Sequence, residues 1–164
     1  MDLELSEEQE ALRRTVEDFA RKDVAPVIGE FYERDEFPYE LVAKMGRMGL
    51  FGLPVDEDLG GMGGDYTALC IALEELGRVD SSVAITLEAG VSLGLMPIYR
   101  FGTDEQKARW LPDLVAGTKL GAFGLTLGAD FSQFGGFDRS AIGPGLGRDG
   151  RLRLHLGQEG LLGF

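Results

Sequence analysis

The sequence predicts an all-α N-terminal helical domain that is followed by one β-strand and then by an irregular, glycine-rich tail. Apolar residues recur at helical spacing over residues 1–117, and capping patterns mark where helices begin and end. Residues 1–126 contain 12 Lys or Arg and 24 Asp or Glu, whereas residues 127–164 contain four of each. Glycine becomes denser, with 15 in the first 126 residues and 10 in the last 38. We therefore divide the chain into a helical domain (1–117), a strand region (118–126) and a poorly ordered tail (127–164).

The overall charge restricts the function classes. The chain carries 16 Lys and Arg against 28 Asp and Glu, a formal net charge of −12. Nucleic acids and anionic membranes are bound through clustered basic residues, so both partners are disfavoured. The one cysteine, Cys70, cannot form an internal disulfide, and a single histidine gives no zinc-binding pattern, so we expect no metal site. Residues 1–4 are acidic and lack the features of a signal peptide, and we expect a cytoplasmic protein.

The first two helices have clear boundaries. Ser6 forms a predicted capping box with Gln9 at the start of the first helix. Its apolar residues define one face that should pack on a core: Leu12, Val16, Phe19, Ala20, Val24 and Val27. Pro26 is expected to end or kink this helix, because proline cannot donate the hydrogen bond of a helix interior. Pro38 is typical of the first turn of a second helix, which Gly49 should end.

A loop and a third helix follow. Residues 50–64 join an apolar run, an acidic stretch and the glycine cluster Gly60–Gly64, which is typical of a loop. The cluster lacks the spacing of a phosphate-binding motif, so we interpret it as a flexible turn. Asp65 is predicted to cap the third helix, and Gly77 to close it.

Several polar residues receive a structural interpretation. Cys70 lies among apolar residues of the third helix with no histidine nearby in sequence, so we expect a buried, unreactive thiol rather than a nucleophile. Glu74 and Glu75 are expected on the solvated side of the same helix. His155 is isolated in the tail, and we assign it no function. The residues therefore reveal no catalytic constellation.

The segment Ser81–Tyr99 contains one charged residue, Glu88, in 19 residues. Its length would suit a membrane span, but interior glycines and the lack of flanking basic clusters favour a central helix that is buried on most sides. A carboxylate in such surroundings needs a partner, a water-lined cavity or a ligand. For Glu88, a structural role and a place in a pocket stay equally open.

The last predicted elements are a helix and a strand. Thr103 and Gln106 form a second capping box, which opens a helix through Trp110 and Leu114. The segment Lys119–Thr126 has the length and the bounding residues of a strand.

Several short motifs follow one another over residues 3–126. They are Leu5–Gln9, Met48–Pro54 followed by an acidic loop and Gly60–Gly63, Phe101–Lys107 followed by Trp110–Leu114 and Gly117, and finally Gly121–Thr126. In this order, the motifs resemble the N-terminal part of the acyl-CoA dehydrogenases.

The resemblance implies three domains: a helical N-terminal domain, a middle β-domain and a C-terminal four-helix domain. It also implies a non-covalently bound FAD, acyl-CoA as substrate, an electron-transfer acceptor as partner, and assembly into homo-oligomers. In the family a glutamate of the C-terminal domain removes the α proton of the thioester, while the β hydrogen leaves as hydride to the flavin. Because that base lies outside the matching stretch, we assign no catalytic residue to this chain.

The resemblance further implies two sets of binding residues. Those that match the strand along the flavin are Phe123, Leu125 and Thr126, with Thr126 as a hydrogen-bonding candidate. Those that match the helix lining the floor of the acyl pocket are Glu88, Ala89 and Leu93.

The match ends after Thr126, where the family continues with Glu-Pro and this chain has Leu127 and Gly128. We interpret the change as a shift of reading frame. When the codons of Gly157–Gly160 are read one nucleotide later, the two middle triplets can encode only Lys or Arg. With suitable codons, residues 151–162 read in the same shifted frame encode a sequence close to a strand of the family's β-domain. Residues 127–164 would then form a mobile tail or short improvised strands, and FAD binding by the fragment would be weak or absent.

Two functions are therefore considered. The first is an FAD-dependent acyl-CoA dehydrogenase, present here as an N-terminal fragment that is inactive alone. The alternative is a non-catalytic helical binding or scaffold module that has kept the domain for contacts with a partner. A flavin absorbance band that acyl-CoA bleaches would distinguish the first from the second.

Overall fold

The computed structural model describes residues 4–123, 153–156 and 161–163. Within this part of the chain, the α-helices are α1 (Glu7–Phe19), α2 (Ile28–Glu33), α3 (Tyr39–Arg47), α4 (Tyr66–Gly77), α5 (Ser81–Glu88), α6 (Met96–Phe101) and α7 (Asp104–Val115). The π-helical segments Ala20–Val24 and Ala89–Leu95 continue α1 and α5, and 3₁₀ turns span Leu50–Gly52 and Glu57–Leu59. The predicted all-α N-terminal domain is thereby confirmed.

The predicted caps form their hydrogen bonds. The backbone N–H of Gln9 donates to the Ser6 hydroxyl at 3.2 Å, and the Ser6 N–H donates to the Gln9 side chain at 3.0 Å. Thr103 and Gln106 form the same pair of bonds at 3.3 and 2.8 Å. Asp65 caps α4 through a 2.9 Å bond. Each cap satisfies a backbone group that has no partner within its helix, and this fixes where α1, α4 and α7 begin.

The predicted helix ends are also observed. The π-helical continuation of α1 ends at Val24, two residues before Pro26. Gly49 follows the end of α3 with a φ of +76°, a left-handed conformation that glycine adopts at little cost. Gly77 is the last residue of α4.

The core surrounds a continuous helical run, Ser81–Phe101, in which α5, the second π-helical segment and α6 follow one another. Its inward side chains are at most 1% exposed: Leu87, Val91, Leu95 and Ile98. They belong to one apolar cluster with buried residues of α1, α3, α4 and α7. By length and composition alone the run could cross a membrane, but 44% of its most apolar window is buried inside the protein, which favours a core helix.

A buried ion-pair cluster joins α1 to α4. Glu75 is 2% exposed, and its Oε1 lies 3.1 Å from Nε of Arg13 and 3.1 Å from Nη1 of Arg78. The prediction that Glu75 lies on the solvated side of its helix is wrong, whereas the Glu74 side chain is 61% exposed. Glu75 follows two buried residues of α4 by three and four positions, so it shares their packed face, and two guanidinium groups compensate its charge.

Cys70 also departs from its prediction, because its side chain is exposed. The buried face of α4 is formed by Ala68, Leu69, Ile71, Ala72, Glu75 and Leu76. A residue at position 70 lies away from that face on a helix of 3.6 residues per turn. The apolar neighbours of Cys70 in sequence are therefore not its neighbours in space.

The strand that follows the helices is β1 (Gly121–Phe123), shorter within the described residues than the predicted Lys119–Thr126. In the tail, β2 (Arg153–Leu156) and β3 (Leu161–Gly163) complete an antiparallel sheet in the order β1-β2-β3. Ala122 is opposite His155 in the ladder. The tail thus contributes two short strands, one of the two outcomes expected for it. The remaining tail residues lie outside the described part of the chain.

Candidate functional site

The start of β1 packs directly on the π-helical segment of the central run. A Cβ built on Gly94 would lie 2.5 Å from the Cα of Gly121, and one built on Gly121 would lie 2.5 Å from the Cα of Gly94. Real Cβ atoms do not approach other atoms so closely. The lack of a side chain on both residues therefore allows the strand to rest against the helix backbone.

The chain that leads into β1 is held in the same region by Phe51. A Cβ on Gly90, one turn before Gly94, would lie 2.9 Å from Cε1 of Phe51. Gly117 adopts a φ of +67°, and a Cβ there would lie 2.7 Å from Cδ2 of the same ring. Phe51 is 1% exposed, so this buried ring connects the central run with the turn between α7 and β1.

The three residues predicted to line an acyl pocket lie on the run that β1 contacts. Glu88 is the last residue of α5, and Ala89 and Leu93 lie in the π-helical segment. Glu88 and Ala89 are half-buried and Leu93 is 38% exposed. Ile85, three residues before Glu88 and 64% exposed, extends the same side of the run. We call Ile85, Glu88, Ala89 and Leu93 the central strip.

The central strip is a partly exposed side of the run. Steps of four residues separate Ile85, Ala89 and Leu93, so these three side chains follow one side of the helix. Glu88 is next to Ala89 and three residues after Ile85. Phe101, at the end of the run, is also exposed, at 86%. Apolar side chains left open along one side of a core helix indicate a surface that another group covers.

The carboxylate of Glu88 has no hydrogen-bond or ion-pair partner among residues 4–123. A half-buried carboxylate without such a partner needs water or a polar ligand to compensate its burial. The described part of the chain therefore shows no protein partner that would support a purely structural role for Glu88.

The predicted flavin-facing residues are only partly placed. Phe123 is the last residue of β1, and its backbone is described. Leu125 and Thr126 lie outside the described residues. The structure thus brings the helix of Glu88, Ala89 and Leu93 against the strand that ends in Phe123, without placing the two residues that follow.

The acidic loop after α3 is tied to the central run by a tyrosine. The Tyr99 hydroxyl donates to Oδ2 of Asp56 at 2.7 Å. This bond to a carboxylate raises the pKa of Tyr99 above its ordinary value, and partial desolvation acts in the same direction.

Sequence reasoning missed the residues that join helix to strand. Gly90 and Gly94 served only as an argument against a membrane span, and Gly121 as part of a motif. Two glycines four residues apart in an apolar helix are a recognisable signal of close approach, because they form a groove along one side of the helix. The partner of such a groove cannot be read from the helix itself.

The family assignment rests on comparison with known proteins. The family model of the acyl-CoA dehydrogenase N-terminal domain matches residues 6–118. This chain belongs to the acyl-CoA dehydrogenase family. An acyl-CoA dehydrogenase of Bacillus subtilis (strain 168) is 40% identical over 140 residues, which cover 85% of this chain and 37% of the relative.

Solved structures agree with this assignment. Butyryl-CoA dehydrogenase from Megasphaera elsdenii superposes with a TM-score of 0.73 at 35% identity, covering 94% of this chain and 40% of that chain. A glutaryl-CoA dehydrogenase from Mycobacterium smegmatis in complex with FADH2 gives a TM-score of 0.67 at 29% identity, covering 71% of this chain and 30% of that chain. The chain spans between 33% and 38% of the length of the first curated relatives it matches.

Proposed function

We propose that this chain is the N-terminal helical part of an FAD-dependent acyl-CoA dehydrogenase, which introduces an α,β double bond into an acyl-CoA thioester. The observation that carries the proposal is the contact between the central strip's helix and β1 at Gly94 and Gly121. This contact joins the residues proposed to face the acyl chain to the strand proposed to run along the flavin.

The chemistry of the central strip suits an acyl chain. Ile85, Ala89 and Leu93 offer partly exposed aliphatic surface, and burying such surface against an alkyl chain is favourable. Glu88 lies among them as a carboxylate, so it would limit how far an apolar tail extends along the strip. In this role Glu88, Ala89 and Leu93 form the floor of the acyl pocket.

The described residues fit one edge of an FAD site. Gly121, Ala122 and Phe123 bring backbone N–H and C=O groups, and Ala122 is exposed. Such a segment suits the edge of a flavin ring, whereas the phosphates of FAD need basic side chains or helix N-termini. Phe123, Leu125 and Thr126 are proposed to run along the ring, with the Thr126 hydroxyl as a hydrogen-bonding group.

When bound, FAD supplies the two-electron chemistry of the reaction. The part assigned to this chain is to orient the acyl chain and to exclude water from one side of the site. The base that removes the α proton is proposed to lie in a C-terminal domain, so no residue of this chain is given a catalytic role. An electron-transfer acceptor, a cytoplasmic location and assembly into homo-oligomers complete the proposal.

The decisive experiment supplies the remaining domains from a related enzyme. Residues 1–126 of this chain would replace the corresponding part of the Bacillus subtilis acyl-CoA dehydrogenase. The purified chimera is expected to be yellow, with a flavin band at about 450 nm that butyryl-CoA or octanoyl-CoA bleaches under anaerobic conditions.

A matched pair of variants tests the assignment of the strip. Ala89→Trp in the chimera should weaken bleaching by acyl-CoA at least about tenfold, because the indole would occupy the acyl floor. Ala11→Trp places the same ring on an exposed position of α1 and should leave bleaching unchanged. A folded chimera that binds no flavin would contradict the proposal and favour the scaffold alternative, and equal behaviour of the two variants would remove Ala89 from the site.

The isolated chain is expected to bind FAD weakly or not at all. One edge of a site cannot offset the entropy lost on binding a ligand of this size. Titration of the 164-residue chain with FAD, followed by flavin fluorescence, would measure the affinity. Tight binding would show that the chain holds most of the flavin contacts itself.

A further inference from the structure

A groove separate from the central strip lies between the end of α3, the 3₁₀ turn Glu57–Leu59 and α7. Its volume is about 800 Å³, within the range of sites that hold a small organic molecule. Residues that line it include Gly46 of α3, Gly49 and Gly60 at the ends of the turns, and Ala108 and Pro112 of α7. The proposed function uses none of these residues.

The apolar part of the lining is aliphatic. Met48, Leu59, Met62, Leu111 and Val115 line the groove, and no aromatic side chain contributes to it. Leu59 and Met62 are 38% and 55% exposed, so the apolar surface is open to solvent. Methionine and leucine chains adapt to flexible alkyl groups, whereas flat rings are usually bound between aromatic faces.

Two basic residues that also line the groove, Arg47 and Lys107, have no ion-pair partner among residues 4–123. Most Lys and Arg residues of this part of the chain are paired with carboxylates, and Arg100 and Arg109 lie over aromatic rings. Of the three bases with neither kind of contact, two therefore belong to one groove, and the third is Arg14. An acidic protein with a net charge of −12 offers few such free cations.

We propose that this groove binds an unbranched aliphatic carboxylate, with the alkyl chain on the methionine and leucine side chains and the carboxylate between Arg47 and Lys107. The guanidinium group of Arg47 can donate two parallel hydrogen bonds to a carboxylate, and Lys107 adds a flexible second donor.

The two carboxylates of the groove limit the negative charge that the head group of a ligand can carry there. Asp58 and Asp104 line the same groove and balance the charges of Arg47 and Lys107, so a dianionic phosphate would be repelled more strongly by the two carboxylates than a monoanion. Their side chains are short, whereas the longer and more flexible stems of Arg47 and Lys107 let these cations move toward a bound ligand. A monoanion with an alkyl tail is therefore the best match.

The test uses the 164-residue chain and decanoate, with octanoate, decanol and decyltrimethylammonium as comparisons. Two-dimensional NMR should show saturable shifts of the amides of Gly46, Gly49 and Gly60. Affinity should rise about fourfold per added methylene from octanoate to decanoate, and decanoate should bind at least about tenfold more tightly than the other two head groups. Equal binding of decanol, tighter binding of the ammonium compound, or shifts confined to other amides would overturn the proposal.

Variants distinguish binding of decanoate in the groove from nonspecific binding elsewhere on the protein. The double variant Arg47→Glu, Lys107→Glu should lose at least about tenfold in decanoate affinity, whereas Arg14→Glu should retain it. Ala108→Trp should block binding by filling the groove, and Ala11→Trp should not. Thermal unfolding of each variant verifies folding, and the wild-type titration decides the proposal even if one variant fails to fold. Shifts of the groove amides with protein concentration alone would show that a second copy occupies the groove, which would also overturn it.

Discussion

Gly94 and Gly121 meet backbone to backbone, and each occupies the space that a Cβ on the other would need, at 2.5 Å from the opposite Cα. This contact joins the middle of the central helical run to the first strand after the helices. It therefore fixes the position of β1 relative to the strip that carries Glu88, Ala89 and Leu93.

Gly94→Ala should destabilise the protein by about 1–3 kcal/mol, because the added methyl group collides with backbone that cannot move away without displacing β1. Gly29→Ala is the matched control, since a Cβ at Gly29 meets nothing within 4 Å. It should be neutral or stabilising by up to about 1 kcal/mol. Urea unfolding measures both free energies. Equal effects of the two substitutions would show that β1 does not rest on Gly94.

Glu75→Gln should cost about 1–3 kcal/mol of unfolding free energy, because a buried carboxylate bonded to Arg13 and Arg78 is replaced by a neutral amide. Glu74→Gln makes the same chemical change one residue earlier, where the side chain is 61% exposed. It should change stability by less than about 0.5 kcal/mol. Chemical denaturation of both variants tests this, and similar losses would argue against the buried position of Glu75.

The bond from Tyr99 to Asp56 predicts a stability change at alkaline pH. The pKa of Tyr99 is raised above its ordinary value of 10.0 in the folded state, chiefly by this hydrogen bond. The folded state therefore holds the proton more tightly, so the contribution is fully present below pH 10 and is lost as the pH rises through the folded pKa. Tyr99→Phe should remove this part of the decline in the denaturation midpoint above about pH 10, and Tyr39→Phe, at a 69% exposed position, should not. An unchanged alkaline decline in Tyr99→Phe would contradict the bond.

Cys70 should react with Ellman's reagent in the native protein, because its thiol is exposed on α4. One equivalent of thiolate dye should be released without denaturant, and Cys70→Ser should release none. Release of the dye only in the presence of urea would show that the Cys70 thiol is buried, as its apolar neighbours in sequence predict.

The sequence indicated the elements of the candidate site but not the contact between them, and the roles of its residues remain predictions. The resemblance selected Glu88, Ala89 and Leu93 on one element and Phe123 on another, and the structure places those two elements in contact. Leu125 and Thr126 remain predictions. The π-helical segment Ala89–Leu95 was not predicted, because no local preference of these residues distinguishes it from an α-helix.

The amino-acid sequence by itself determined where helices begin and end, because caps such as Ser6 with Gln9 and Thr103 with Gln106 act over three residues of chain. It also determined the family, through motifs whose order does not depend on any contact. For α4, only the packing decided which of these side chains is buried: Glu75 lies on the packed face and contacts Arg13, 62 residues away, whereas Cys70 is exposed because α4 turns it outward. The contact of β1 with Gly94 was also decided only by the tertiary structure. Two glycines far apart in the chain come into contact only when the fold brings their backbones together.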